Sequence, residues 1–194
     1  MADRSAKRSA VRGRLRRLGR ADVLDAARAG DPRAWRRLVD DLGGDIIGYA
    51  RSRGIPDAED LAGDVFEVLA RRIGSFQGDQ RAFRSFAFTV AHHRIADHFR
   101  SASQQRDRPP APYLAAAESA KGEHEAETVG ALDALATIVQ LPPDQRDSML
   151  LHVFGQLDLV EVAQVLGKEP DAVRQLQRRA RRRLRTETTG RVTP

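Results

Sequence analysis

Cysteine is absent from the 194 residues, which excludes disulfides and thiolate-held metals and makes an intracellular protein the natural expectation. Aromatic side chains make up only 5% of the chain, with Trp35 the single tryptophan. No apolar run approaches the ~20 residues of a membrane span. The basic N-terminus lacks the apolar core of a secretion signal, so neither export nor membrane insertion is expected. Stretches of alternating β-branched residues are nearly missing, which argues against sheet and leaves an all-α fold. Negative charge is in the minority: 33 Lys+Arg against 27 Asp+Glu give +6, almost all of it from arginine, since Lys7, Lys121 and Lys168 are the only lysines. Such an excess suggests a polyanionic partner such as nucleic acid.

The charge is unevenly placed. Residues 1–21 form a basic arm (Lys7, Arg8, Arg12, Arg14, Arg16, Arg17, Arg20) with too few apolar side chains to offset the entropy of ordering. Leu24 and Ala27 then predict a helix ending near Gly30, and Asp31-Pro32 reads as an N-cap with proline at the first helical position. Trp35, Leu38, Val39 and Leu42 follow at the spacing of one buried face. Gly43-Gly44 predicts an interruption before a short helix with Ile46, Ile47, Tyr49 and Ala50, ending at Gly54. Ile55-Pro56-Asp57 breaks the chain and caps a helix with Leu61, Val65, Val68, Leu69 and Ile73 inside and acids in its first turn, where the macrodipole favours them.

After a loop at residues 74–80, a helix from about 81 to 100 carries two apolar faces, Phe83, Phe86, Ala87 and Val90 on one and Phe88, Ile95 and Phe99 on the other. It must be gripped from two sides, with Ser85, Thr89, His93 and Arg100 forming a polar strip between them. Pro109, Pro110 and Pro112 mark residues 102–130 as a linker between a first domain at 22–101 and a second at 131–187, with a tail at 188–194. The second domain opens with Leu132, Leu135, Ile138 and Val139, pauses at Leu141-Pro142-Pro143, and continues through Met149, Leu150, Val153 and Phe154.

Residues 157–184 read as a helix-turn-helix. Asp158 caps a helix that buries Leu159, Val162, Ala163 and Leu166, and Gly167 supplies the tight turn. Pro170 and Asp171 start a second helix with Val173, Leu176, Ala180 and Leu184 on its inner face. Arg174, Arg178, Arg181 and Arg185 align in a stripe on the outer face, with Gln175, Gln177, Arg179 and Arg182 beside it. A rigid helix presenting Arg and Gln is what reading base edges in a major groove requires. The bland alternative is a solvated basic helix, and the helix and turn before it weigh against that. The motif alone does not tell a repressor from an activator or a recombinase.

The first domain is more specific. Asp57-Ala58-Glu59-Asp60-Leu61-Ala62-Gly63-Asp64-Val65-Phe66, running on to Gly74-Ser75-Phe76, resembles the helix that extracytoplasmic-function sigma factors of the sigma-70 family dock on the clamp helices of RNA polymerase. Residues 83–100, from Phe83-Arg84-Ser85-Phe86 to His98-Phe99-Arg100, look like that family's promoter-melting helix. Leu141-Pro142-Pro143-Asp144, Val160-Glu161-Val162-Ala163 and Ala172-Val173-Arg174-Gln175 resemble its -35 reader.

The resemblance implies two small helical domains, sigma region 2 and sigma region 4, and an alternative sigma factor. Asp57, Asp60, Leu61, Asp64 and Glu67 would meet polymerase. Ser75, Phe76, Gln77, Asp79, Arg84, Ser85, Phe86, Thr89, His93 and Arg100 would hold and melt the -10 element. The partners implied are core RNA polymerase, through its clamp helices and flap, promoter DNA, and an anti-sigma factor, with the protein cytoplasmic and nucleoid-associated and no cofactor needed. Three positions depart from the pattern: Phe86 stands in place of a typical Trp, His93 of a typical Asn, and Gly63 where Gln is common.

Simpler readings stand beside these. The acids at 57–67 also suit an ordinary helix N-terminus, and Phe86 taken alone reads as core. His92, His93, Asp97 and His98 suggest a metal centre or a phosphohydrolase, but only His93 and Asp97 share a face and no distant carboxylates complete a shell, so no metal site and no enzyme are expected. The basic arm is a phosphate-tracking tail, a regulator contact, or a product of a misassigned start. The main rival to a sigma factor is a stand-alone dimeric helix-turn-helix regulator, which has no use for the acidic helix.

Overall fold

The computed structural model describes the backbone of residues 20–105 and 134–190, and side chains for 23–101 and 134–186. The basic arm up to residue 19, most of the expected linker and the last four residues of the tail lie outside the described residues. Among those described, regular structure is entirely helical. The first domain contains α1 (Arg20–Arg28), α2 (Pro32–Ser52), α3 (Ala58–Arg72), a 3-10 turn (Ile73–Ser75) and α4 (Gln80–Gln105). In the second, residues 134–139 are helical, followed by α5 (Pro143–Val153), α6 (Leu159–Leu166) and α7 (Pro170–Gly190).

Helix α2 starts as expected: the Asp31 side chain accepts a hydrogen bond from the Arg33 N–H at 2.8 Å, and Pro32 occupies the first turn. It does not break at Gly43-Gly44, which corrects the expectation of two shorter helices. Leu38, Leu42, Ile46, Tyr49 and Ala50 lie on one stripe and are all 4% exposed or less. Each interior glycine costs about 1 kcal/mol relative to alanine, whereas each large side chain buried on the continuous stripe contributes about 1.5–3 kcal/mol, so packing overrides local preference.

Asp57 stands before α3 but makes no capping hydrogen bond, a second correction. Its backbone (φ -100°, ψ 61°) lies outside the extended range from which a capping side chain reaches back. Helix α4 is gripped from two sides as the sequence requires: Phe83, Ala87, Phe88, Ala91 and Ile95 are each 1% exposed or less. Phe88 meets Tyr49 of α2 at 5.8 Å between ring centroids, and Phe83 meets Phe76 edge-on at 5.3 Å.

In the second domain, the Asp158 carboxylate accepts from the N–H groups of Val160 and Glu161, both at 2.9 Å, while Glu161 accepts from the Asp158 N–H at 2.8 Å. This reciprocal capping box fixes where α6 begins. Gly167 ends it in the left-handed region (φ 60°, ψ 36°), a conformation that strains any residue carrying a Cβ. Asp158→Ala is therefore expected to destabilise the chain by about 1 kcal/mol in urea denaturation. Val153, expected inside, is 47% exposed, because the helix turns Leu150 and Leu151 inward instead.

Candidate nucleic-acid interface

Helix α7 presents its inner face to α5 and α6 through Val173 and Ala180, both 0% exposed. Arg174, Gln175, Arg178, Arg179, Arg181, Arg182 and Arg185 all face outward, and all but Arg174 line one shallow groove. Arg174 also forms an ion pair with Asp171 within the first turn of α7. Gln177 is a correction: it is 5% exposed, because residue 177 falls four after Val173 and three before Ala180, on the inward stripe. The remaining set is a rigid, strongly cationic surface held by a helix-turn-helix, suited to phosphates and to the acceptor edges of guanine.

The loop leading into α4 is pinned by aromatic packing. Phe76 stacks on Phe86 (5.6 Å between centroids, 20° between planes), and the Arg28 guanidinium lies over Phe76 at 5.6 Å while donating to the Gly78 carbonyl. Phe86 is thus half-buried in an aromatic cluster, with one use as packing already evident. Ser75, Gln77 and Asp79 are exposed on the same loop. Asp79 also accepts from the Ala82 N–H at 2.8 Å and so caps α4. Along α4, Ser85 and Thr89 are half-buried, Thr89 donating to the Ser85 carbonyl, and His93 and Arg100 are exposed. Arg84 alone is drawn away from this surface: it donates to the carbonyls of Gly155 (2.6 Å) and Phe154 (2.7 Å) and pairs with Asp45.

A second surface lies between α3 and α4, where Asp57, Asp60, Asp64 and Asp97 open onto one groove with Leu61 in its wall and Arg94 and His98 alongside. Leu61 is only 8% exposed and packs into the core beneath the acids. Glu67 is tied to Arg71 at 2.8 Å, but Asp57, Asp60 and Asp64 have no ion-pair partner among the described residues. Carboxylates left uncompensated on a rigid helix are available to a basic partner.

No local motif marks the polar seam that joins the two domains. Arg53 at the end of α2 reaches Asp147 of α5 at 2.8 Å, both side chains about one-tenth exposed. Beside it, the Tyr49 hydroxyl lies 2.8 Å from His92 Nδ1. Burial pushes the Tyr49 phenol up, so it remains a donor, and the imidazole accepts at Nδ1. Burial also holds His92 below the usual imidazole value, against a smaller opposing pull from Asp147. His92 therefore takes up a proton more readily in the unfolded chain. Its contribution to stability is present above the unfolded value of about 6.5 and is lost as the pH falls from there through the lower folded value. Denaturation midpoints measured from about pH 7.5 down to pH 5.5 should fall more steeply for the parent chain than for His92→Gln.

Family comparison agrees with this layout. Residues 38–105 match the model for sigma-70 region 2, and residues 131–184 match that for sigma-70 region 4. The chain is 30% identical to the ECF RNA polymerase sigma factor BldN of Streptomyces coelicolor over 84% of its own length and 63% of BldN. It is also 30% identical to SigD of Mycobacterium tuberculosis, covering 85% of this chain and 82% of SigD. With ShbA of Streptomyces griseus it shares 32% identity, over 84% of this chain and 92% of ShbA. Its fold is that of CnrH, solved in complex with the cytosolic domain of CnrY, with a TM-score of 0.61 and 24% identity over 88% of this chain and 97% of CnrH. No helix among the described residues is long and apolar enough to cross a membrane. With both sigma regions present in order and relatives matched over most of their length, the chain belongs to the extracytoplasmic-function group of the sigma-70 family and is an alternative sigma factor that directs promoter-specific transcription.

Proposed function

We propose that the two domains divide the work as follows. The acidic groove of α3 docks on the clamp helices of core RNA polymerase through Asp57, Asp60, Leu61, Asp64 and Glu67, and the second domain sits on the flap. The loop at 75–79 and the outer side of α4, through Ser85, Phe86, Thr89, His93 and Arg100, hold the opened strand of the -10 element. Unstacking costs a few kcal/mol per step, offset by stacking on aromatics and by phosphate contacts. Helix α7 reads the -35 element through Arg174, Gln175, Arg178, Arg179, Arg181, Arg182 and Arg185.

The observation that carries this reading is the pairing, in one chain, of a cationic helix-turn-helix face with a separate carboxylate groove in which Asp57, Asp60 and Asp64 have no ion-pair partner among the described residues. A DNA-only regulator has no need of the second surface. The chain itself performs no chemistry on this reading: it acts in the cytoplasm at the nucleoid, and an anti-sigma factor holds it inactive by covering both surfaces. Footprinting of the chain with core polymerase on a bound promoter tests it. Protection at two elements about 25 base pairs apart, with permanganate-reactive thymines at the downstream one only when polymerase is present, is the expected result. Protection of a symmetric site by the chain alone would overturn it.

A further inference from the structure

The loop that precedes α4 has little to bury. Of residues 74–79 only Phe76 is half-buried, and the rest are exposed. A segment with so few buried contacts opens locally at little cost, so its shape has to come from specific ties. Three of these are local: the Phe76 N–H donates to the Ile73 carbonyl at 3.2 Å, the Asp79 carboxylate accepts from the Ala82 N–H, and Phe76 packs on Phe83 and Phe86. The fourth comes from α1, fifty positions away in sequence. Arg28, the last residue of α1, lays its guanidinium over the Phe76 ring at 5.6 Å and donates to the Gly78 carbonyl. Asp25, one turn earlier, accepts from Arg28 Nη1 at 2.8 Å and helps to set the plane of the group.

An arginine in the last turn of a helix is ordinary in itself, because the macrodipole favours a cation there. That accounts for its charge but not for its reach to the loop. Only the planar fork of a guanidinium serves an aromatic face, a carbonyl and a carboxylate together, whereas an ammonium at the same place keeps the charge and loses the stack. At the other end of the contact Gly78 stands at φ 137°, and a Cβ there would come 2.9 Å from the Ala82 Cβ and 3.3 Å from the Phe76 ring. The turn is thus drawn in against α4, and Arg28 holds it from the α1 side. Ser75, Gln77 and Asp79 are exposed on a backbone whose shape is set in advance.

We propose that Arg28 is a positioning residue for promoter opening: it acts through Phe76 and Gly78, holding the loop at 75–79 in the shape that receives the unpaired strand. The proposal rests on the reading of that loop as part of the -10 surface. Fixing the loop before binding removes the ordering cost that a mobile loop brings to the complex, so releasing it weakens strand capture without deleting a contact to DNA. If the released loop keeps its shape about one time in ten, capture falls roughly tenfold.

Two variants of the full chain release the loop by different routes. Arg28→Lys keeps the charge, and Gly78→Ala leaves Arg28 in place but does not fit the turn. In both, the backbone amides of Gln77 and Gly78 should exchange hydrogen faster than in the parent, with association to core polymerase unchanged. At a promoter located by mapping transcript starts, holoenzyme carrying either variant should give roughly tenfold less permanganate reactivity at -10 thymines at equal protection of the -35 element. Unchanged exchange in Arg28→Lys, or opening equal to the parent's despite faster exchange, would overturn the positioning role. So would loss of polymerase association in step with opening, which marks a residue that only stabilises the fold. A defect in Arg28→Ala that Arg28→Lys restores in full would overturn it too, by making Arg28 a simple phosphate contact. Ser75→Ala with Gln77→Ala separates the proposal from the reading beneath it. Opening lost there but not in the Arg28 variants overturns the proposal alone, whereas opening unaffected by any of these variants overturns the assignment of the loop to the -10 element, and the proposal with it.

Discussion

Asp60→Arg is expected to abolish association with core RNA polymerase, weakening it by more than about 100-fold, while leaving the fold and the affinity of the second domain for DNA intact. Asp60 is exposed in the first turn of α3 and lies in one groove with Asp57 and Asp64, with no ion-pair partner among the described residues. Removing it breaks no internal contact that would destabilise the chain. Reversal does more than delete an attraction, because it sets an arginine against a basic partner surface, and like charges brought together in an interface cost several kcal/mol. Asp60→Asn loses only the attraction and should show a smaller defect. Equal loss in both variants would point to a shape requirement rather than to charge. Co-elution with purified core polymerase, with circular dichroism to confirm helical content, makes the comparison.

The second large effect is expected at α7. Arg174→Ala with Arg178→Ala should weaken promoter binding by holoenzyme by about 2–6 kcal/mol, at ~1–3 kcal/mol for each base contact, and should make its salt dependence shallower. The two residues are a turn apart on the outward stripe, and removing them leaves Val173 and Ala180, which hold α7 to the domain, untouched. Breaking the local Arg174–Asp171 pair adds little, since exposed ion pairs of this kind contribute ~0–1 kcal/mol. If both residues contact only phosphates, the loss should be the same on specific and unrelated DNA. If they read bases, it should fall mainly on the promoter, as titrations on the two DNAs at several salt concentrations would reveal.

The helix-turn-helix was the most legible part of the chain because each of its boundaries is written in local chemistry: Asp158 and Glu161 for the cap, Gly167 for the left-handed turn, Pro170 for the restart. Gln177 is hard to place from sequence because an outward stripe and an inward one are a single residue apart on a helix, and the apolar Leu176 beside it is the more obvious inner-face residue. Gly43-Gly44 misled for the opposite reason: a local signal for a break was overridden by a buried stripe that runs from Leu38 to Ala50. The seam had no local signature. Arg81, Arg84, Arg53 and Asp147 resemble any other charged residues in sequence, and their contacts across the seam join residues roughly seventy to ninety-five positions apart. The same holds for His92, which in sequence belonged to a suspected metal cluster and in the fold turns to Tyr49.

The most direct test of the central claim is reconstituted transcription: the purified chain added to core RNA polymerase freed of other sigma factors, with genomic DNA as template and transcript 5′ ends mapped. The account predicts starts at a small set of discrete sites that share a pair of upstream elements and disappear with Asp60→Arg. Starts no more discrete than those of core polymerase alone, with the chain nonetheless bound to DNA, would contradict it.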